Sequence, residues 1–200
     1  MPKISAAAAA RRRAHILDAA RQCFAEHGIH VSVDEICAKA AVSKGAFYGY
    51  FDSKDAAIEA LAKDHERVIG TVVELDSVER LIEKLTQLTT GRSTASSRLE
   101  LETWVHALRL PSLRAALHDN VDGLRQALAA SITRISRSAV LEQRTSPSSV
   151  AEILTIFSMG LIASAALGAE GGSRSAEAAL KALVTALVSG KRYRGRRARV

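Results

Sequence analysis

The sequence predicts an all-α protein. Apolar residues recur at spacings of three and four from Ile16 onward, no run alternates with the two-residue period of a strand, and serines and glycines stand where helices should begin and end. With 200 residues, 48% of them hydrophobic, and three prolines, the chain can bury a sizeable core and divide into one small and one larger domain.

Ile16, Leu17, Ala20, Cys23 and Phe24 fall on one helical face and Gly28 supplies a stop, which predicts a first helix over 13–27. The residues before it, 1–12, read as a flexible basic arm ending in Arg11 and Arg12; with Arg13 these either lie along a row of phosphates or simply lead into the helix. Ser32 precedes Glu35 by three residues, the spacing of a capping box, and opens a short second helix that turns Ile36, Cys37 and Ala40 inward. Ala41 and Val42 make a turn, Ser43 caps a third helix, and Ser53 caps a fourth that begins at Lys54. Two short helices joined by a tight turn are how a small domain sets one helix into a DNA groove. The third helix suits that task, because Lys44, Gly45 and Ala46 leave its first turn small and open while Phe47, Tyr48, Tyr50 and Phe51 crowd its far end. Phe47 and Phe51, at i and i+4, belong to a core, whereas Tyr48 and Tyr50 can keep their hydroxyls at the surface. Lys54 puts a cation at a helix start, which is mildly unfavourable unless an anion such as duplex phosphate lies opposite.

Taken in order, ILDAARQCFAEHG (16–28) and SVDEICAKAAVSKGAFYGYFDSKDAAIEAL (32–61) resemble the N-terminal DNA-binding domain of the TetR family of transcriptional regulators. The resemblance implies a three-helix helix-turn-helix domain over 13–62 whose third helix enters the major groove. It further implies that Tyr48, Gly49 and Tyr50 contact backbone or base edges, that Lys54 holds a phosphate, and that Ser32, Ser43, Lys44, Gly45 and Ala46 are positions of close approach. Three departures stand out: Ala41, where the family turn often has glycine, Gly49, where it often has a larger contacting side chain, and the loop from Gly28 to Ser32, which is about one residue short.

Past residue 62 the pattern stays helical. Leu81, Ile82, Leu85 and Leu88 mark one amphipathic helix, 89–97 read as a loop, Leu99 to Leu110 form the next helix, and after Pro111 a long apolar stripe runs from Leu113 to Ile135. Ser146 as cap and Pro147 at the first helical position open a helix apolar on nearly every side; Gly168 stops it, and a last helix runs over about 175–189. The stretch from Ile153 to Ala169 carries no charge, yet its length is marginal for a bilayer and it includes Thr155, Ser158 and Ser164, so a helix–helix interface suits it better than a membrane. By the resemblance, the last two helices pair with those of a twofold mate, which makes 63–190 a helical effector-binding and dimerisation domain. Within it Glu100, Glu102, Trp104, His106, Arg109 and His118 are polar or aromatic groups in an otherwise apolar region. Trp104, His106, Arg109 and His118 are the candidate lining of a pocket for a small apolar effector, with ordinary surface placement as the other reading.

The net charge of +7 sits almost wholly in 191–200, which hold six basic and no acidic residues and read as a disordered basic tail. The two cysteines, Cys23 and Cys37, occupy inward positions with no CxxC spacing, as reduced core thiols of a cytoplasmic protein would. The N-terminal alanine run precedes its arginines, the reverse of a secretory signal. There is no G-x-S-x-G elbow, P-loop, dinucleotide glycine motif or H-E-x-x-H, so no catalytic residue, metal or cofactor is assigned. The expected function is a DNA-binding regulator that acts as a homodimer on a palindromic duplex operator and answers to an effector. A ligand-independent regulator is the alternative, and a helical-bundle enzyme a more distant one.

Overall fold

The computed structural model describes residues 5–63, 71–91, 93–138, 145–168 and 172–188, and the regular structure there is helical throughout. Helix α1 spans Ala6–His27. It starts well before residue 13, so the arm expected to be flexible is helical from Ala6. The Ser5 hydroxyl accepts the Ala8 N–H at 3.2 Å, and the alanine run that follows has the highest helix propensity of any residue type. At its other end Gly28, at φ +81°, closes the helix through its N–H to the Phe24 carbonyl at 2.9 Å.

Helix α2 (Val33–Lys39) opens on the expected capping box. The Glu35 N–H donates to the Ser32 hydroxyl at 3.3 Å, and the Ser32 N–H donates to the Glu35 carboxylate at 2.8 Å. The Ser32 hydroxyl also donates to that carboxylate at 2.7 Å, and this bond, with the one from the Ser32 N–H, holds the Glu35 carboxyl below its ordinary range. Ala41 then reverses the chain at φ +50°, in the left-handed region. Ser43 caps α3 (Lys44–Tyr48) by accepting from the Ala46 N–H at 3.1 Å, and Ser53 caps α4 (Lys54–Lys63) by accepting from Ala56 at 3.0 Å. Further helices among the described residues include α5 (Val78–Leu88), α6 (Thr94–Ala107), α7 (Pro111–Ser138), α8 (Pro147–Ala166) and α9 (Gly172–Val188). Of the stretch read as a loop over 89–97, the last part is the first turn of α6, because Ser93 caps it through the Ser96 N–H at 3.1 Å.

The chain divides into two compact units, Met1–His65 with Arg98–His118, and Glu66–Ser97 with Asp119–Val200. Residues 98–118, which lie within the effector domain expected over 63–190, pack with the helix-turn-helix. The cause is burial and hydrogen bonding. Ala107 and Leu113 lie inside the same core as Ile16, Phe24, Ile36, Phe47 and Ile58, and Glu102, His106 and Ser112 bond to Ile29, Asp55 and Glu59.

In the second unit Leu81 and Leu85 of α5, Leu128, Ile132 and Ile135 of α7, Val150 and Leu154 of α8, and Leu180, Val184 and Val188 of α9 form one apolar cluster. The Ser131 hydroxyl donates to the Val72 carbonyl at 2.6 Å and Arg134 to that of Leu75 at 2.9 Å, fastening the segment before α5 to α7. By length and composition α8 could cross a membrane, but Val150, Ala151 and Leu154 are fully buried in this cluster. Residues 191–200, read as a basic tail, lie outside the described residues.

Candidate DNA-binding surface

The surface is built on the aromatic pair below it. Phe47 and Phe51 are buried, their ring centroids 5.5 Å apart, and Phe47 meets the Tyr48 ring edge-on at 5.4 Å. With Phe47 as its anchor, α3 has one face to the core and the other to solvent. Tyr48, 51% exposed, stands on the solvent side, Tyr50 is half-buried against the core, and Ser43, Lys44, Gly45 and Gly49 are exposed with Ala46 half-buried. Gly49 serves as the C-cap, its N–H bonded to the Gly45 carbonyl at 3.0 Å. Ser32 lies on the α2 cap, exposed but committed to Glu35.

Two cations in this region have partners that no sequence spacing indicates. Lys44 sits 2.8 Å from the Asp34 carboxylate, which raises the lysine's pKa chiefly through that hydrogen bond. Lys54 donates to the carbonyls of Ile29 at 2.9 Å and Val31 at 3.1 Å. An ammonium has three N–H bonds, so these two carbonyls leave one for a phosphate. The Ile29 N–H goes to Glu102 at 2.9 Å, so the α1–α2 loop is held by a cation on one side and a carboxylate on the other. In the sequence Glu102 reads only as a polar group in an otherwise apolar region. Its part in this surface rests on a pairing across 73 residues that no local pattern encodes.

A family model for bacterial regulatory proteins of the tetR family matches residues 16–61, and one for the C-terminal domain of BetI-type transcriptional repressors matches 75–189. The second alone covers more than half of the chain. The chain belongs to the TetR family of DNA-binding transcriptional regulators. That family is one of regulators, not of enzymes. The chain is similar to the HTH-type transcriptional regulator UidR of Escherichia coli K12, 33% identical over 111 residues, which are 52% of this chain and 56% of UidR. It is also similar to the HTH-type transcriptional repressor Rv1474c of Mycobacterium tuberculosis, 37% identical over 79 residues, 39% of this chain and 42% of that one. The matched region is thus about half the length of these curated relatives. Among solved structures, Salmonella enterica GusR superposes with a TM-score of 0.71 at 28% identity, covering 89% of this chain and 95% of its own.

The candidate pocket residues lie within the stretch that the C-terminal family model matches. Trp104, His106, Arg109 and His118 all belong to the first unit, with the helix-turn-helix. Trp104 is half-buried, Arg109 and His118 are exposed, and the His106 ring bonds to Asp55 at the start of α4 at 2.9 Å. Cys23 and Cys37 are buried as expected, and burial raises both thiols above their usual range, which favours the protonated form.

Proposed function

We propose that the chain is a homodimeric, ligand-responsive repressor that binds a palindromic duplex operator in a bacterial cytoplasm. The observation that carries the reading is the solvent face of α3, where small residues open the first turn and Tyr48 is held half exposed over a buried phenylalanine pair. A face so built admits a close approach of backbone to a groove and offers a phenol to phosphate or base edge. The repressor sign of the regulation is supported by the repressor families and relatives to which the chain is similar.

Dimerisation is supported by α8. Ile153, Ile156, Gly160, Ser164 and Leu167 recur on one side of the helix, and all five are exposed, Ile156 at 60% and Leu167 at 80%. A twofold mate seated there would cover the stripe and join two reading helices for two half-sites. Lys54, with one N–H to spare, is assigned to a backbone phosphate.

The deciding experiment is to select duplexes from a random pool with the full chain, and then place the enriched sequence before a reporter. Repression that disappears with Tyr48→Ala supports the reading; no enriched sequence overturns it. Compounds that release the duplex identify the effector, and linkage requires that DNA weaken their binding by the same factor, about 5- to 150-fold for a coupling of about 1 to 3 kcal/mol. A chain that no small molecule releases is the ligand-independent regulator instead.

A further inference from the structure

Arg11 and Arg12 stand outside the residues assigned above, and the fold gives them a place beside that site. Because α1 begins at Ala6, both ride on a capped helix and not on a loose arm. Residues three and four apart share a helix face, and the residue four after Arg11 and three after Arg12 is His15. The His15 Nε2–H donates to the Ala40 carbonyl at 2.9 Å, at the turn that leads into α3. Arg13, next in the chain, lies 5.0 Å over the Phe51 ring just past the end of α3. This stretch of α1 therefore touches the chain on both sides of the reading helix. Lys39 and Lys44 nearby are bonded to Glu26 and Asp34 at 2.7 and 2.8 Å. Arg11 and Arg12 are exposed and, among the described residues, have no acidic partner; the first turn of α1 carries no acid either.

We propose that Arg11 and Arg12 make a second, sequence-independent contact with duplex DNA, taking backbone phosphates beside the bases that α3 reads. The inference rests on the proposed DNA binding. Guanidinium is always charged and pairs with phosphate through two N–H bonds, so the pair neutralises duplex charge without reading sequence. A helical mount also removes the backbone ordering cost that a loose arm would incur on binding.

The test uses the full chain and the duplex it enriches from a random pool. Affinity is measured against salt for the wild type, for Arg11→Ala with Arg12→Ala, for Arg11→Lys with Arg12→Lys, and for Tyr48→Ala. The alanine pair should bind enriched and unrelated duplexes more weakly by the same factor, and its salt slope should fall by about two units per protomer; the lysine pair should restore the slope. Alanine is the better helix former, so α1 survives the change, and circular dichroism confirms it. An alanine pair with wild-type affinity and slope, beside a Tyr48→Ala that no longer binds, overturns the inference and leaves the proposed function standing. A loss of discrimination at unchanged slope overturns it too, since phosphate contacts carry no sequence information. A wild-type chain that enriches no duplex removes both.

Discussion

At Asp34 and Lys44 the first turns of α2 and α3 meet through an ion pair of 2.8 Å, with both side chains more than half exposed. Such a pair adds little stability, but it fixes where the ammonium points and sets a carboxylate on the proposed reading surface. A phosphate would compete with that carboxylate for Lys44, and the carboxylate would repel the duplex backbone. Asp34→Asn should therefore raise affinity for duplexes of any sequence and steepen the salt slope by about one unit per protomer, which fluorescence anisotropy across a salt series measures. Unchanged affinity would mean that Lys44 faces away from the duplex. Ala41 offers a test of stability. In the left-handed region a non-glycine residue costs roughly 1–2 kcal/mol, and glycine regains part of this against its larger unfolded-state entropy. Ala41→Gly should raise stability by about 0.5–1 kcal/mol, seen as a higher urea midpoint at constant m-value. That position was legible, because the resemblance marks a glycine there. The first task of Lys54 was not: its place at the start of α4 is local, but its carbonyl partners lie 23 and 25 residues away.

Helix starts were the most legible elements. Ser32, Ser43, Ser53 and Ser146 each accept a backbone N–H three residues on, a bond contained within four residues of sequence. The start of α1 escaped because apolar periodicity marks only the buried part of a helix, and the alanine run before Ile16 has no face to bury. The early start of α6 escaped for a related reason: Ser93 caps a turn of small polar residues that read as a loop. The capping box of α2 also makes stability depend on pH. The Glu35 carboxyl is depressed in the folded chain by bonds from the Ser32 hydroxyl and N–H, so its contribution is present above the unfolded carboxylate pKa and is lost as pH falls through the folded value. Glu35→Gln keeps a capping-box side chain without the titration. Urea unfolding at neutral and at acid pH should show the wild type ahead at neutral pH and the gap closing in acid. A gap that stays constant would mean that the carboxylate charge contributes nothing to the cap.

At the scale of the whole chain, the sequence reading recovered the fold class and a helix-turn-helix followed by a larger helical part, but not that 98–118 pack with the first core. Periodicity identifies the buried faces of α6 and α7 but not which core they enter. That choice depends on Ala107 and Leu113 and on the hydrogen bonds of Glu102 and His106 to distant residues. The same limit applies to α8, which reads as apolar on every side although its sides differ. Leu154 is fully buried and Leu161 packs on the unit's own core, whereas Ile153, Ile156 and Leu167 face outward. The dimer test therefore belongs at Ile156. An arginine there stays solvated in a lone chain, but loses its hydration without a partner if a second copy covers the stripe. Ile156→Arg should keep the helical circular dichroism signal while weakening self-association by at least about tenfold, roughly 1.4 kcal/mol. Leu161→Arg should lower the stability of the unit itself. Sedimentation equilibrium beside thermal melting separates the two effects, and operator affinity should fall with the dimer because half-sites are then read singly. An Ile156→Arg chain that remains a folded dimer would place the twofold contact on another face.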